Sequence, residues 1–145
     1  MATIIIAIDE SKFARFAFRW YAENLHKAEY RVILYHAVEN LFMKEMSPGR
    51  FSEFNKRTEE KTARLNEMYS QLAQELQINA EIQIEKVERK PEHAIIDKLD
   101  KEKPKYIVTG TRGMGVIRRT ILGSFSDFIL RHAHCPVVIC KLDEN

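Results

Sequence analysis

Four of the five glycines in this 145-residue chain fall in one stretch, GTRGMGVIRRTILGS, residues 110–124. Glycine costs backbone entropy on folding and is used where the chain must reach positive φ or approach another group closely. Such a concentration makes either a loop of demanding turns or a seat for a ligand that touches the main chain. The local charge has one sign. No acidic residue occurs from Lys103 to Ser126, while Lys103, Lys105, Arg112, Arg118 and Arg119 are basic. Gly123 and Ser124 stand where a helical pattern begins. Free amides and the positive end of a helix dipole make that position an anion site, and the Ser124 hydroxyl adds a donor. Each helix-terminus charge effect is worth about 0.3–1 kcal/mol when exposed, so several together could hold a polyphosphate.

The elements that position this stretch follow from hydrophobic periodicity. TIIIAID (3–9), YRVILYHAV (30–38), AEIQIEKVE (80–88), KYIVTG (105–110) and CPVVICKL (135–142) read as strands. Four helical patterns separate them. Ser11 caps the first, which carries Phe13, Phe16, Ala17, Trp20, Tyr21 and Leu25 at helical spacing. A loop over 39–50 with the turn signal Ser47-Pro48-Gly49 precedes a long helix from about Phe51 to Leu76. Pro91 opens the third helix, and the fourth runs from about Ser124 to His132. Strict β-α alternation predicts a single-domain α/β fold: an open parallel five-stranded sheet with helices on both faces. No repeat or linker divides residues 1–145.

In such sheets ligands bind beyond the carboxyl ends of the strands, where the strand order reverses. The glycine stretch begins at the carboxyl end of the fourth strand, and Asp9 stands at that end of the first. If those strands are neighbours, both segments line one crevice; a flavodoxin-like order or 3-2-1-4-5 would do this. Three rival motifs fail. There is no G-x-x-x-x-G-K-[ST], and no G-x-G-x-x-G follows the first strand. The Asp9-Glu10 pair lacks the aspartate that a response-regulator receiver carries at the end of its third strand.

The spacing G-x2-G-x9-G-[ST] is met by Gly110, Gly113, Gly123 and Ser124. With IVTGTRG, LGSFSDFILRHAHCPVVICK, AIDES and LYHAVE, the chain resembles the universal stress protein family over nearly its full length. The resemblance implies ATP, with Mg2+, bound to a sheet ordered 3-2-1-4-5. By position it implies that Asp9 and the backbone near Ala37 face the adenosine. Thr109 and Gly110 would flank base and ribose. Arg112, Gly113, Gly123, Ser124, Phe125 and Ser126 would surround the phosphates. It also implies a homodimer through the last strand, which would otherwise be an exposed apolar edge. Glu10 stands where the family often has glycine, Phe125 is bulkier than usual, and Lys105 replaces a common acid.

Other features read as structural. HAHC (132–135) crosses a helix end and has no second cluster to complete a metal site. His36 lies in a buried strand and reads as a satisfied core histidine, and Cys135 and Cys140 as thiols of a reducing, cytoplasmic compartment. The net charge of +2 is too small for a general nucleic-acid or membrane binder. No run of eighteen apolar residues occurs, so no transmembrane helix is expected. The expected function is an ATP-binding stress-response or signalling module. The alternatives are a slow ATPase, for which no residue has a clear claim to orient water, and an interaction module without nucleotide.

Overall fold

The computed structural model describes residues 1–40, 46–112 and 122–142. In chain order the elements are β1 (Thr3–Ala7), α1 (Lys12–Asn24), β2 (Arg31–Glu39), α2 (Pro48–Glu75), β3 (Ala80–Val87), α3 (Pro91–Glu102), β4 (Tyr106–Gly110), α4 (Ser124–His132) and β5 (Val137–Cys140). The five strands form one sheet in the order β3-β2-β1-β4-β5, and every neighbouring pair is parallel. Of the two orders left open by the crevice argument, 3-2-1-4-5 is the observed one.

Alternation along β1 divides the core in two. Ile4, Ile6 and Ile8 pack with Ala17, Phe18 and Tyr21 of α1 and Leu65, Tyr69 and Leu72 of α2. Ile5 and Ala7 face the other way, with Ala94, Ile95 and Leu99 of α3 and Ile129 of α4. Covered on both sides, β1 has to be apolar at consecutive positions, which is why its sequence is a run and not an alternation. Each isoleucine fully buried there contributes roughly 1.5–3 kcal/mol relative to an exposed one.

The start of α2 differs from the sequence expectation. Ser47-Pro48-Gly49 is not the end of a loop but the entry of the helix. The Arg50 amide donates to Ser47 Oγ at 3.4 Å, and Pro48 takes the first helical position. Proline there lacks only an N–H that the helix leaves unpaired, so the signal read as a turn is equally a helix start. Lys103 and Lys105 also lie away from the place assigned to them. Lys103 closes α3 in the left-handed region, φ 48°. The Lys105 amide donates to Thr3 O at the amino end of β1, 2.8 Å. Both therefore stand at the end of β4 remote from Gly110, and their charge does not belong to the crevice.

Candidate functional site

β1 and β4 are neighbours, with Ile4 opposite Tyr106 and Ile6 opposite Val108. Their carboxyl ends, Asp9 and Gly110, thus flank the point where the chain winds outward in both directions. β2 lies on the other side of β1, and the Ile8 amide donates to Tyr35 O at 2.9 Å. That bond brings the end of β1 beside Ala37, a buried residue of β2.

Asp9 is held from two sides. Its Oδ1 accepts from the Ser11 amide at 2.8 Å, and its main-chain O accepts from the Tyr69 hydroxyl at 2.8 Å. The second contact comes from α2 across the core, and burial together with the nearby Asp9 carboxylate raises the Tyr69 pKa. His36 Nδ1 lies 2.8 Å from Ile8 O, a contact that requires the ring to donate from Nδ1. Burial pushes its pKa down, against the Ile8 hydrogen bond and the Asp9 charge. His36 is thus a satisfied histidine supporting the end of β1. Tyr69 is a supporting residue that motif reading missed; its helical spacing with Leu65 and Leu72 marks it as core, but nothing in sequence pairs it with Asp9.

At β4 the roles of glycine separate. A Cβ on Gly110 would lie 2.8 Å from Phe13 O and 2.9 Å from Phe13 C. The first turn of α1 presses directly on the strand end, so this glycine is required by the fold. Gly123 is different. Its φ of −70° is open to any residue. A Cβ there would meet Arg112 Cα at 3.4 Å and Thr111 O at 3.5 Å, ordinary contacts among the described residues. The Gly123 amide donates to Thr111 O at 2.7 Å, which places the start of α4 against the end of β4.

Gly123 is the N-cap of α4 and supplies no capping side chain. The first helical amide with a main-chain acceptor is that of Asp127, bonded to Gly123 O at 3.0 Å. The amides of Ser124, Phe125 and Ser126 have no acceptor among the described residues. Ser124 is exposed at this turn. Phe125 is half-buried and packs against the cluster of Ile5, Ala7 and Ile129, so its bulk goes into the core. Ser126 is 2% exposed, and its hydroxyl donates to Gly110 O at 2.7 Å. Thr109 is buried beside it, its hydroxyl 3.2 Å from the same oxygen. The Arg112 guanidinium lies over the Phe13 ring, 5.8 Å from its centroid. Gly113, Arg118 and Arg119 lie outside the described residues. No group of three or more His, Cys, Asp or Glu among the described residues could hold a metal ion by itself, and none of the described helices is long and apolar enough to cross a membrane.

An open doubly wound α/β sheet, with a helix N-terminus that lacks a side-chain cap at its switch point, is the layout the fold presents. The model of the universal stress protein family matches residues 1–141, and this chain belongs to that family. A universal stress protein A-like protein of Arabidopsis thaliana is 24% identical over 86% of this chain and 76% of its own length. A universal stress protein of Mycobacterium tuberculosis is 30% identical over 98% of this chain, which spans 48% of that relative. Among solved structures, UspA of Lactobacillus plantarum superposes with a TM-score of 0.82 at 20% identity, covering 95% of this chain and 96% of that one. An Arabidopsis thaliana family member with AMP bound gives 0.70 at 20% identity, covering 99% and 94%. The Archaeoglobus fulgidus protein in complex with dAMP gives 0.66 at 18%, covering 96% of each chain. At these identities the superpositions establish the fold.

Proposed function

We propose that this chain binds an adenine nucleotide, ATP with Mg2+, across the carboxyl ends of β1, β2 and β4, and acts as a stress-response or signalling module. One observation carries the reading: three consecutive amides at the start of α4 have no acceptor among the described residues, beside a glycine N-cap that no described residue requires to be glycine. Phosphate oxygens match that arrangement in charge and geometry. Asp9 and the Ala37 backbone take the adenosine, Thr109 and Gly110 flank it, and Arg112, Gly113, Gly123, Ser124, Phe125 and the Ser126 amide surround the phosphates. The relatives that hold AMP and dAMP support adenine as the base. Magnesium would enter on the triphosphate, held mainly by phosphate oxygens and water, since no protein cage is needed for it.

Nucleotide occupancy then modulates partner binding through its differential affinity for two states of the site. A homodimer through β5 fits the same reading. β5 is an edge strand with a half-buried Val137, Val138 and Ile139, and pairing with a second copy covers that edge. Cytoplasmic residence agrees with two free cysteines, one of them with its pKa pushed up to about 11 by burial.

Heating the purified protein and identifying the released small molecules by mass tests the binding reading directly. An adenine nucleotide released at near-stoichiometric amount is the expected result. No released nucleotide, together with no heat of binding on adding ATP and magnesium, overturns it.

A further inference from the structure

Ser126 stands in the first turn of α4, where a hydroxyl would ordinarily be read as one more phosphate donor. The geometry points to another role: Ser126 is a positioning residue, whose hydroxyl clamps the start of α4 to the end of β4 and so aims the amides of Ser124, Phe125 and Ser126 at the phosphates. Its hydroxyl donates to Gly110 O at 2.7 Å, and the residue is covered by protein. The hydroxyl's one proton is committed to that carbonyl, so it has none left to donate to a phosphate.

The carbonyl it holds belongs to a residue fixed on its other side. Gly110 lies so close to Phe13 that no Cβ fits between them. The clamp therefore fastens α4 to a point that α1 already locks. A second bond runs the same way, from the Gly123 amide to Thr111 O at 2.7 Å. Two hydrogen bonds, one before and one inside the first turn, set both the position and the tilt of α4 relative to β4. Aimed amides bind an anion well only when they need no reorganisation to do so. The clamp supplies that pre-organisation, while the surface-facing Ser124 hydroxyl stays free to reach the ligand.

This inference rests on the proposed nucleotide site, and the test separates the two. Full-length protein stripped of nucleotide, its Ser126→Ala variant and its Ser126→Thr variant are compared in two measurements. Amide hydrogen exchange at Gly123 and Asp127 reads the clamp without any ligand. About tenfold faster exchange in the alanine variant, restored by threonine, is expected, because a buried hydroxyl–carbonyl bond has been removed. Calorimetric titration with ATP and with adenosine reads its consequence. The alanine variant should lose about tenfold for ATP and keep adenosine affinity within about twofold, with threonine restoring the ATP value. Unchanged exchange in the alanine variant overturns the clamp, whatever the affinities. Faster exchange with unaltered ATP affinity overturns its positioning role. If the parent binds neither ligand, the nucleotide reading falls and the exchange rates alone decide the clamp. Should the alanine variant fail to fold, Ser126→Cys, whose thiol is a weak donor of similar size, takes its place with the same expectations.

Discussion

α1 and α4 both begin at the carboxyl end of the sheet, on the neighbouring strands β1 and β4, yet they begin in opposite ways. α1 is closed by its own chain. Ser11 Oγ accepts from the Ala14 amide at 3.2 Å, and Asp9 Oδ1 accepts from the Ser11 amide. Phe13 then seals it against Gly110. α4 begins with a glycine that caps nothing and leaves three amides without a described acceptor. The dipole at each N-terminus is of similar strength, so the difference lies in what neutralises it. At α1 the protein supplies an oxygen to the Ala14 amide; at α4 no described residue supplies one, and the proposed phosphate would. α3 also lacks a side-chain cap, but it starts with Pro91, which removes one amide, and carries Glu92 in its first turn. A bare N-cap is therefore not enough. The start of α4 is set apart by its place beside the β1/β4 switch point and by the two bonds that hold it there.

The contrast can be broken most severely at the closed helix. Gly110→Val places a Cβ against the Phe13 carbonyl and should cost roughly 3 kcal/mol of stability, read from chemical denaturation. A loss under about 1 kcal/mol would show that α1 can shift freely, contrary to the contact described. The second test makes α4 resemble α1. Gly123→Asp supplies the missing cap and a negative charge. Stability should stay level or rise by a few tenths of a kcal/mol, while ATP affinity falls by about a hundredfold on titration calorimetry. Equal affinity in variant and parent would mean that the phosphates bind elsewhere.

Smaller effects sharpen the closed side. Ser11→Ala removes the α1 cap and should cost about 1 kcal/mol in urea unfolding, because the Ala14 amide loses its acceptor. His36 gives a pH dependence of known sign. Its folded pKa lies below the ordinary histidine value of 6.5 because burial disfavours the charged ring. Above that value neither folded nor unfolded chain carries the proton. As pH falls below it, the unfolded chain takes up a proton first, and stability is lost until the folded pKa is passed. Unfolding curves at pH 7.5 and 5.5 should therefore separate more in the parent than in His36→Asn, whose amide can donate to Ile8 O without titrating. Equal separation in the two proteins would leave His36 without a part in acid stability.

Much of this was legible in the residues. The apolar run of β1, the alternation of β3 and the Ser11 cap were read correctly because each depends on neighbours in sequence. Ser47-Pro48 was read as a turn because the same residues start helices and end loops, and only the helix that follows decides. Lys103 and Lys105 looked like part of a basic crevice because sequence distance from Gly110 is short. A strand of five residues is long enough, at about 3.3 Å per residue, to carry them to the opposite end of the sheet.

Taken alone, the chain of residues determined the number and kind of elements and the family, and it singled out the stretch proposed for the anion, since periodicity, caps and glycine spacing act over a few residues. Tertiary structure decided the division of labour inside that stretch. It made Gly110 a packing necessity, left Gly123 free of one among the described residues, sent Phe125 into the core and turned the Ser126 hydroxyl toward β4. Those assignments depend on α1, α4 and β4 meeting at one point, and contacts between residues as far apart as Phe13 and Gly110 exist only after the sheet has brought them together.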